Sequence, residues 1–320
     1  MGGMFSLGIV ILSSILLYFI SERFAGVSSN VGDYFKLSKS VKGATFDAIA
    51  SSLPELLVAL FSVIFFKKFE VGIGTIAGSA LFNLLVIPGI CVLVSPVLFK
   101  VSRDVIDRDG LFYVISVFAL LIFVLYFKVW GVIISLILLL FYVIYVREIV
   151  VDTKRDKGNI KRPKDIRIGK ELLLMFIYVI GIGVVTYFLV DHSIIFAEFL
   201  GVSPIIIAFT IIAAATSVPD TIVSVANARK GNLDDATSNV FGSNIFDIFV
   251  GLGLPLLIYF LLVGPIKIVF DNLEIVLGLL GATILSLFYF ARGDSFRKIQ
   301  GIVLLLLYLV FVLYVVFLGR

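Results

Sequence analysis

Long apolar segments separated by short polar ones dominate the hydropathy pattern of this 320-residue chain. A helix needs about 20 mainly apolar residues to cross a bilayer, and ten segments approach or exceed that length. They lie at about 4–21, 43–66, 71–99, 110–127, 129–146, 171–190, 203–228, 236–263, 270–291 and 299–318. Because backbone polar groups must be paired inside the bilayer, the pattern predicts an all-α integral membrane protein with ten transmembrane helices.

The composition supports this class and excludes a soluble globular domain. The chain is 61% hydrophobic and 15% charged, with a mean hydropathy of +1.17. The expected environment is the lipid bilayer, and nothing in the sequence points to nucleic acid. Cys91 is the single cysteine, so a disulfide framework and a cysteine-based metal site are both excluded. The single histidine, His192, falls in a predicted loop between helices.

The distribution of Lys and Arg predicts the orientation. With ten spans, 21 of the 26 basic residues, Arg23 among them, fall in loops on one side of the membrane, and such an excess marks the cytoplasmic side. We therefore expect a multi-pass protein of the cell membrane with both termini extracellular and the 147–170 loop cytoplasmic. That loop separates a first five-helix repeat (1–146) from a second (171–320). An odd number of spans in each half makes the second repeat inverted.

The two halves also match at polar positions within apolar segments. The matched pairs are Ser52 with Ser217, Pro54 with Pro219, Glu55 with Asp220, Gly78 with Gly242, Ser79 with Ser243, and Asn83 with Asp247. The first three pairs are 165 residues apart and the last three are 164 apart. Inverted repeats with interrupted helices and a polar site near the midplane are typical of secondary transporters.

The polar residues of each half form one stripe on a helix. Ala48, Ser51, Ser52 and Glu55 follow an i, i+3, i+4, i+7 spacing, and Ala213, Thr216, Ser217 and Asp220 repeat it. Each proline lacks an N–H group, which frees the carbonyl four residues earlier. Ser79, Asn83, Ser243 and Asp247 add a second tier of oxygen atoms. With no thiolate or imidazole among these groups, the set favours a hard cation such as Ca²⁺, which takes about 6–8 oxygen ligands.

Carboxylates in apolar segments are costly and call for a functional explanation. Each costs about 2.5–3.5 kcal/mol at the centre of a helix on insertion scales. Glu55, Asp220 and Asp247 should therefore face the interior of the bundle, where two or three carboxylates balance one Ca²⁺, a small number of Na⁺ ions, or protons. Asp47 has an apolar counterpart, Ile212. It is an accessory candidate that either lines the inner mouth of the ion path, contacts a second ion, or is an ionisable group in an aqueous vestibule.

The motifs Ser-Ser-Leu-Pro-Glu55 and Thr-Ser-Val-Pro-Asp220 resemble the two signature repeats of the calcium/cation antiporter superfamily, which includes the sodium/calcium exchangers. From Thr216 to Pro255 the chain is most similar to the potassium-dependent members. The resemblance implies that Glu55 and Asp220 are central Ca²⁺ ligands. It also implies ligand oxygens from Ser51, Thr216, Ala48 and Ala213, Na⁺ or proton-linked positions at Ser79, Asn83, Ser243 and Asp247, and a moving panel made of the first and sixth spans.

The leading hypothesis is therefore an antiporter that exchanges Ca²⁺ for Na⁺ by alternating access, with no enzymatic activity, no catalytic residue and no cofactor. The transported ions bind as substrates. The same carboxylates also suit a H⁺/Ca²⁺ exchanger or K⁺-dependent Na⁺/Ca²⁺ exchange. Two alternatives belong to other classes: a Ca²⁺ channel, and an intramembrane hydrolase that uses two aspartates. The departures from the family pattern include Ala50 and Ala215, which stand where glycine is usual.

Overall fold

The computed structural model describes residues 2–35, 46–153, 166–268, 273–291 and 296–318, which are almost entirely helical. The helices are α1 (Gly2–Tyr34), α2 (Ala48–Ile64), α3 (Phe69–Val94), α4 (Ile106–Tyr126), α5 (Val132–Thr153), α6 (Ile168–Leu200), α7a (Pro204–Thr216), α7b (Val218–Arg229), α8 (Leu233–Leu262), α9 (Leu273–Ala291) and α10 (Lys298–Leu318). Each predicted segment overlaps one of these helices, and α7 is divided into two.

Seven of these helices are long and apolar enough to cross a membrane. α7a and α7b meet the same criterion together and are bent by 44° at the break between them. α2 and the apolar part of α9, Ile275–Phe288, are shorter. The described residues therefore contain seven or eight candidate spans, in agreement with an integral membrane protein, and the full number of ten stays a prediction.

α1 and α6 are much longer than the hydropathy pattern predicted, at 33 residues each. A helix of that length extends about 50 Å, more than the roughly 30 Å hydrocarbon thickness of a bilayer. Because α1 runs to Tyr34 and α6 to Leu200, Arg23 and His192 lie inside helices, and their assignment to loops was wrong. The prediction ended each segment at a cluster of polar residues, although a helix that leaves the bilayer, or tilts within it, keeps its backbone hydrogen bonds.

α3 is the central helix of the bundle. In its most apolar stretch 83% of residues are buried, against 28% for α1, 22% for α6 and 17% for α10. α3 packs against α2, both parts of α7, α8, α9 and α10. Gly78 allows the closest of these approaches, because a Cβ atom at this position would lie 2.2 Å from the carbonyl oxygen of Phe209. The peripheral helices expose side chains such as Phe176 and Leu306, as expected for a surface that faces lipid.

A two-stranded antiparallel ribbon joins two of the connections between helices. β1 (Val129–Trp130) pairs with β2 (Ile266–Lys267), with Val129 opposite Lys267 and Trp130 opposite Ile266. Trp130 is fully buried, and its indole N–H donates to the carbonyl of Phe127 at 2.9 Å. The ribbon is a small exception to the all-α prediction, and two-residue strands are too short to produce a detectable alternation of apolar and polar residues.

Candidate cation-binding site

Three carboxylates from three different helices lie in the interior of the bundle. Glu55 of α2, Asp220 of α7b and Asp247 of α8 are all 0% exposed. None of the ion pairs within the described residues involves them. Since a buried carboxylate needs a compensating partner, the partners of these three must be hydrogen-bond donors, protons or bound cations.

Asp220 is held by donors from two neighbouring helices. Ser243 Oγ of α8 donates to Asp220 Oδ1 at 2.7 Å, and Asn83 Nδ2 of α3 lies 2.9 Å from Asp220 Oδ2. Asn83 Nδ2 also lies 3.0 Å from the side-chain oxygen of Asn244. These contacts join α3, α7b and α8 around one carboxylate.

Ser79 of α3 connects the other two carboxylates. Its hydroxyl oxygen lies 3.4 Å from Glu55 Oε1, 3.4 Å from Asp247 Oδ2 and 2.9 Å from Ser217 Oγ. A hydroxyl has a single proton to donate, so Ser79 cannot satisfy both carboxylates at once. The cluster therefore has more oxygen acceptors than protons to share between them.

The excess of acceptors is visible as buried oxygens without a hydrogen-bond partner. Four of the eight such side-chain atoms among the described residues belong to this cluster: Ser52 Oγ, Glu55 Oε2, Asn83 Oδ1 and Asp247 Oδ1. Leaving a buried polar atom unsatisfied costs about 1–3 kcal/mol. Three of these four oxygens, those of Glu55, Asn83 and Asp247, belong to carboxylate and amide groups, and the fourth is a hydroxyl. Such oxygens are the ligands of hard cations, so this donor set fits Na⁺ and Ca²⁺.

The sequence profile of the sodium/calcium exchanger proteins matches residues 5–149 and 170–317, which is most of the chain. The chain belongs to the sodium/calcium exchanger family. The resemblance in the two motifs is thereby confirmed. Family membership makes this chain a membrane transporter of the cation-exchange class and not a catalytic enzyme.

Some relatives match almost the whole chain, and others match only about a third of it. An uncharacterized membrane protein of Methanocaldococcus jannaschii is 30% identical over 314 residues, 95% of each chain. Human sodium/potassium/calcium exchanger 3 is 45% identical over 112 residues, which are 34% of this chain and 17% of that protein. A solved structure of the sodium-calcium exchanger NCX_Mj, soaked with 2.5 mM Na⁺ and 1 mM Sr²⁺, has a TM-score of 0.66 at 29% identity and covers 95% of this chain and 96% of that one.

In this family member, two hydroxyl residues that were predicted as ligands make matching local contacts, one in each half of the chain. The Ser51 hydroxyl lies 3.3 Å from the carbonyl of Ala48, and the Thr216 hydroxyl lies 3.2 Å from the carbonyl of Ala213. Ser51 Oγ is also 3.4 Å from Ser243 Oγ, at the edge of the carboxylate cluster. The Thr216 hydroxyl donates to the carbonyl of Ala213, whereas the single proton of Ser51 is shared between the carbonyl of Ala48 and the closer carbonyl of Asp47.

Asp47 is half-buried at the start of α2. Its carbonyl accepts a hydrogen bond from Ser51 Oγ at 3.0 Å. The backbone of Asp47 thus adjoins the stripe, and its accessory role stays a prediction.

The two prolines have different effects on their helices. α2 continues through Pro54 without a break, whereas α7 breaks between Thr216 and Val218, so that Pro219 lies in the first turn of α7b. A proline in a first turn costs little, because its missing N–H would have had no helical partner. The break also places Asp220 at a helix N-terminus, where the helix dipole stabilises a negative charge.

Sequence reasoning missed Asn244, which accepts from Asn83 and donates from Nδ2 to the carbonyl of Ala80 at 3.2 Å. It also missed Asn239, whose Nδ2 lies 3.3 Å from the carbonyl of Asp220 and 3.0 Å from Ser224 Oγ. The two polar pairs Ser238-Asn239 and Ser243-Asn244, within an otherwise apolar stretch, were the available signal. Among the described residues, no group of three or more His, Cys, Asp and Glu side chains has metal-binding geometry, so a cation here needs hydroxyl and amide oxygens besides carboxylates.

Proposed function

We propose that this chain is an antiporter that exchanges Ca²⁺ for Na⁺ by alternating access at the Glu55–Asp220–Asp247 cluster. The observation that carries the proposal is the set of four buried oxygens without partners, all within that cluster. Three carboxylates and several neutral oxygens suit the adaptable, oxygen-rich shell of Ca²⁺. The same oxygens can hold Na⁺ ions in place of one Ca²⁺, and this competition for one set of ligands is the basis of antiport.

The placement of the cluster between the two halves supports alternating access. α2 and α3 come from the segment 1–146, and α7 and α8 come from the segment 171–320, as expected for a site where inverted repeats meet. We propose that both termini are extracellular and that the 147–170 loop is cytoplasmic. α5 extends to Thr153 and α6 begins at Ile168, so both helices enter the stretch assigned to that loop.

α1 and α6 are suited to move as one panel. They pack along each other and are joined by polar contacts near both ends. His192 Nδ1 lies 3.2 Å from Ser6 Oγ, and Asn30 Nδ2 lies 3.1 Å from Glu171 Oε2. We infer that this pair slides against the other helices to expose the cluster to alternate sides.

Counter-ion dependence of Ca²⁺ flux tests the proposal. Purified protein in liposomes should accumulate Ca²⁺ when an outward Na⁺ gradient is imposed, with K⁺ and pH equal on both sides. Uptake that requires a pH gradient instead would identify a H⁺/Ca²⁺ exchanger. Uptake that is independent of every counter-ion gradient would indicate a channel, and no uptake under any gradient would refute exchange altogether.

The carboxylates themselves provide the matched variants. Glu55→Gln and Asp220→Asn preserve side-chain size and remove the charge that balances Ca²⁺, so each should abolish Ca²⁺ uptake while the protein stays folded. Glu70→Gln is the control, because Glu70 is a half-buried carboxylate in the first turn of α3, outside the cluster. Uptake close to that of the unmodified protein in Glu55→Gln or Asp220→Asn would remove the central site.

Dependence on K⁺ is a second candidate, favoured by the 45% identity with human sodium/potassium/calcium exchanger 3. Asp247 supplies a third carboxylate, and its side chain shares Ser79 with Glu55. The liposome assay distinguishes the two forms of exchange: K⁺ placed on the Ca²⁺ side should increase Na⁺-driven uptake severalfold if K⁺ is co-transported. It should leave uptake unchanged if Na⁺ alone is exchanged.

A further inference from the structure

A fourth buried carboxylate, Asp109, lies outside the candidate site. It belongs to a π-helical turn, Ile106–Gly110, at the start of α4, and it is 1% exposed. Its Oδ1 lies 2.7 Å from Arg108 Nε and 3.4 Å from the hydroxyl of Tyr145. Its Oδ2 lies 3.1 Å from Arg108 Nη2 and 3.0 Å from Ser238 Oγ. We refer to Arg108, Asp109, Tyr145 and Ser238 as the Asp109 cluster.

The Asp109 cluster differs chemically from the candidate cation site. Both oxygens of Asp109 have partners, and the adjacent guanidinium of Arg108 compensates its charge in a fork-like geometry. A carboxylate satisfied in this way has no need of a transported cation. Its contacts instead join three helices, since Asp109 lies on α4, Tyr145 on α5 and Ser238 on α8.

Ser238 connects this cluster to the helix that supplies part of the site. It precedes Ser243 by five residues and Asp247 by nine, which corresponds to about 7 and 13 Å along a helix. α8 makes a π-helical turn at Asp247–Gly251. From Ser238 to Phe246 the backbone is regular α-helix, and the π-helical turn begins only at Asp247. A displacement of Ser238 therefore moves Ser243 and Asp247 with it.

Aromatic contacts from α5 also hold α8, within this segment and just after it. Phe246 makes an edge-to-face contact with Tyr142 at 5.5 Å, and Phe249 stacks on Phe141 at 5.5 Å. These contacts lie on the side of α8 that faces α5, while Ser243 and Asp247 face the carboxylates. Aromatic contacts resist lateral displacement but define rotation and depth less sharply than a hydrogen bond to a charged group.

We propose that Asp109 is a positioning residue for ion binding: it holds Ser238, and thereby sets the depth and rotation of α8 that bring Ser243 Oγ to 2.7 Å from Asp220 Oδ1. Asp109 itself contacts no transported ion. The inference rests on the proposed function, because its consequence is a change in the affinity for Ca²⁺.

Ser238→Ala is the primary test, because it removes the connection to α8 and leaves the Arg108–Asp109 pair intact. The Ca²⁺ concentration for half-maximal uptake should rise about threefold, the factor that corresponds to an average interhelical polar contact in membranes. The maximal rate per folded protein should change little. Ser238→Thr keeps the hydroxyl and should restore the normal concentration, whereas Asp109→Asn should raise it about tenfold, because it weakens charge-assisted contacts on both oxygens.

Thr283→Val is the matched control. Thr283 of α9 is fully buried, and its hydroxyl lies 3.3 Å from the hydroxyl of Tyr113 on α4 and 2.7 Å from the carbonyl of Leu279. The variant removes this contact between α9 and α4 and leaves the ring of Tyr113 stacked on Phe241 of α8. It should lower the melting temperature without altering the half-saturating Ca²⁺ concentration. A role of Asp109 in stability alone would give Ser238→Ala the same pattern, and that result would overturn the proposal.

A second readout separates failure of this inference from failure of the proposed function. The Ca²⁺ concentration that half-maximally stabilises the purified protein against heat should shift by the same factors. If the unmodified protein takes up no Ca²⁺ but is stabilised by it, and Ser238→Ala shifts that stabilisation, exchange is refuted and the positioning role is retained. If the unmodified protein exchanges Ca²⁺ and Ser238→Ala shifts neither quantity, the positioning role is refuted alone.

Discussion

Gly78 and Gly242 occupy matching places in the two halves, yet the structure predicts opposite consequences for replacing them with alanine. A Cβ atom at Gly78 would lie 2.2 Å from the carbonyl oxygen of Phe209 and 2.7 Å from the Cβ of Ala213. A Cβ atom at Gly242 would meet only the hydroxyl of Tyr145, at 3.7 Å. Gly78→Ala must therefore separate α3 from α7a, while Gly242→Ala makes an ordinary van der Waals contact.

The required displacement can be worked out from these distances. Ordinary contact begins at 3.4 Å, so α3 and α7a must part by about 1 Å at Gly78. The Ser79–Ser217 contact, now 2.9 Å, would then lengthen to nearly 4 Å and cease to be a hydrogen bond. Overpacking of this kind costs about 1–3 kcal/mol. If half of that cost is felt at the candidate ion site, about 0.5–1.5 kcal/mol, Ca²⁺ uptake should fall about 2- to 13-fold.

The comparison controls for backbone effects. Both positions are helical, so both substitutions gain the same helix propensity of alanine over glycine, about 1 kcal/mol, and only the clash differs. Na⁺-driven Ca²⁺ uptake in liposomes and the melting temperature in detergent should be measured for both variants. We expect Gly242→Ala to transport within about twofold of the unmodified protein, as is usual for a change that causes no clash. Equal effects of Gly78→Ala and Gly242→Ala, whether both harmful or both neutral, would refute the argument from close approach.

Two further substitutions test other parts of the structure. Asn83→Leu keeps the approximate volume of Asn83 but removes the donor to Asp220 and one unpartnered oxygen. The Ca²⁺ concentration for half-maximal uptake should therefore rise at least about tenfold. An unchanged concentration in the uptake assay would exclude Asn83 from the site. Lys68→Ala removes a solvent-exposed ion pair with Glu198, 3.1 Å long. Such pairs contribute about 0–1 kcal/mol to stability, so the melting temperature and Ca²⁺ uptake should hardly change. A large loss of uptake would show that this contact between α6 and the α2–α3 connection controls transport.

The hydropathy pattern predicted the class of fold well, because burial in lipid leaves few structural alternatives. Helix ends were predicted poorly. α1 and α6 extend past the polar residues at which their predicted segments ended, since a helix outside the hydrocarbon layer tolerates Arg23 and His192. The break in α7 was foreseen from Pro219. The continuity of α2 through Pro54 was not, because surrounding helices can compensate for a missing backbone hydrogen bond.

The membership of the buried cluster was predicted from spacing, since i, i+3, i+4 and i+7 residues share a face of a helix. The contacts between its members could not be predicted, because those such as Asn83 with Asp220 and Ser79 with Ser217 join residues more than 130 positions apart. Asp109 escaped notice for a different reason. It lies beside Arg108 at the border of an apolar segment, and a charged pair in that place is easily taken for the start of a loop.

The asymmetry between the two halves is greater in the structure than in the sequence, and it bears on how the proposed site would serve two ions. Glu55 lies within a continuous helix, and one of its oxygens has no partner, whereas Asp220 begins a helix and each of its oxygens has a donor. A carboxylate stabilised by a helix N-terminus and two donors can stay charged without an ion. Glu55 lacks that support, so its charge depends more strongly on a bound cation. Asp247 lacks it as well, since its Oδ1 has no partner and its Oδ2 shares the Ser79 hydroxyl with Glu55. Under the proposed exchange, Glu55 and Asp247 are therefore the carboxylates at which replacement of one ion by another should have the largest effect on the protein's conformation.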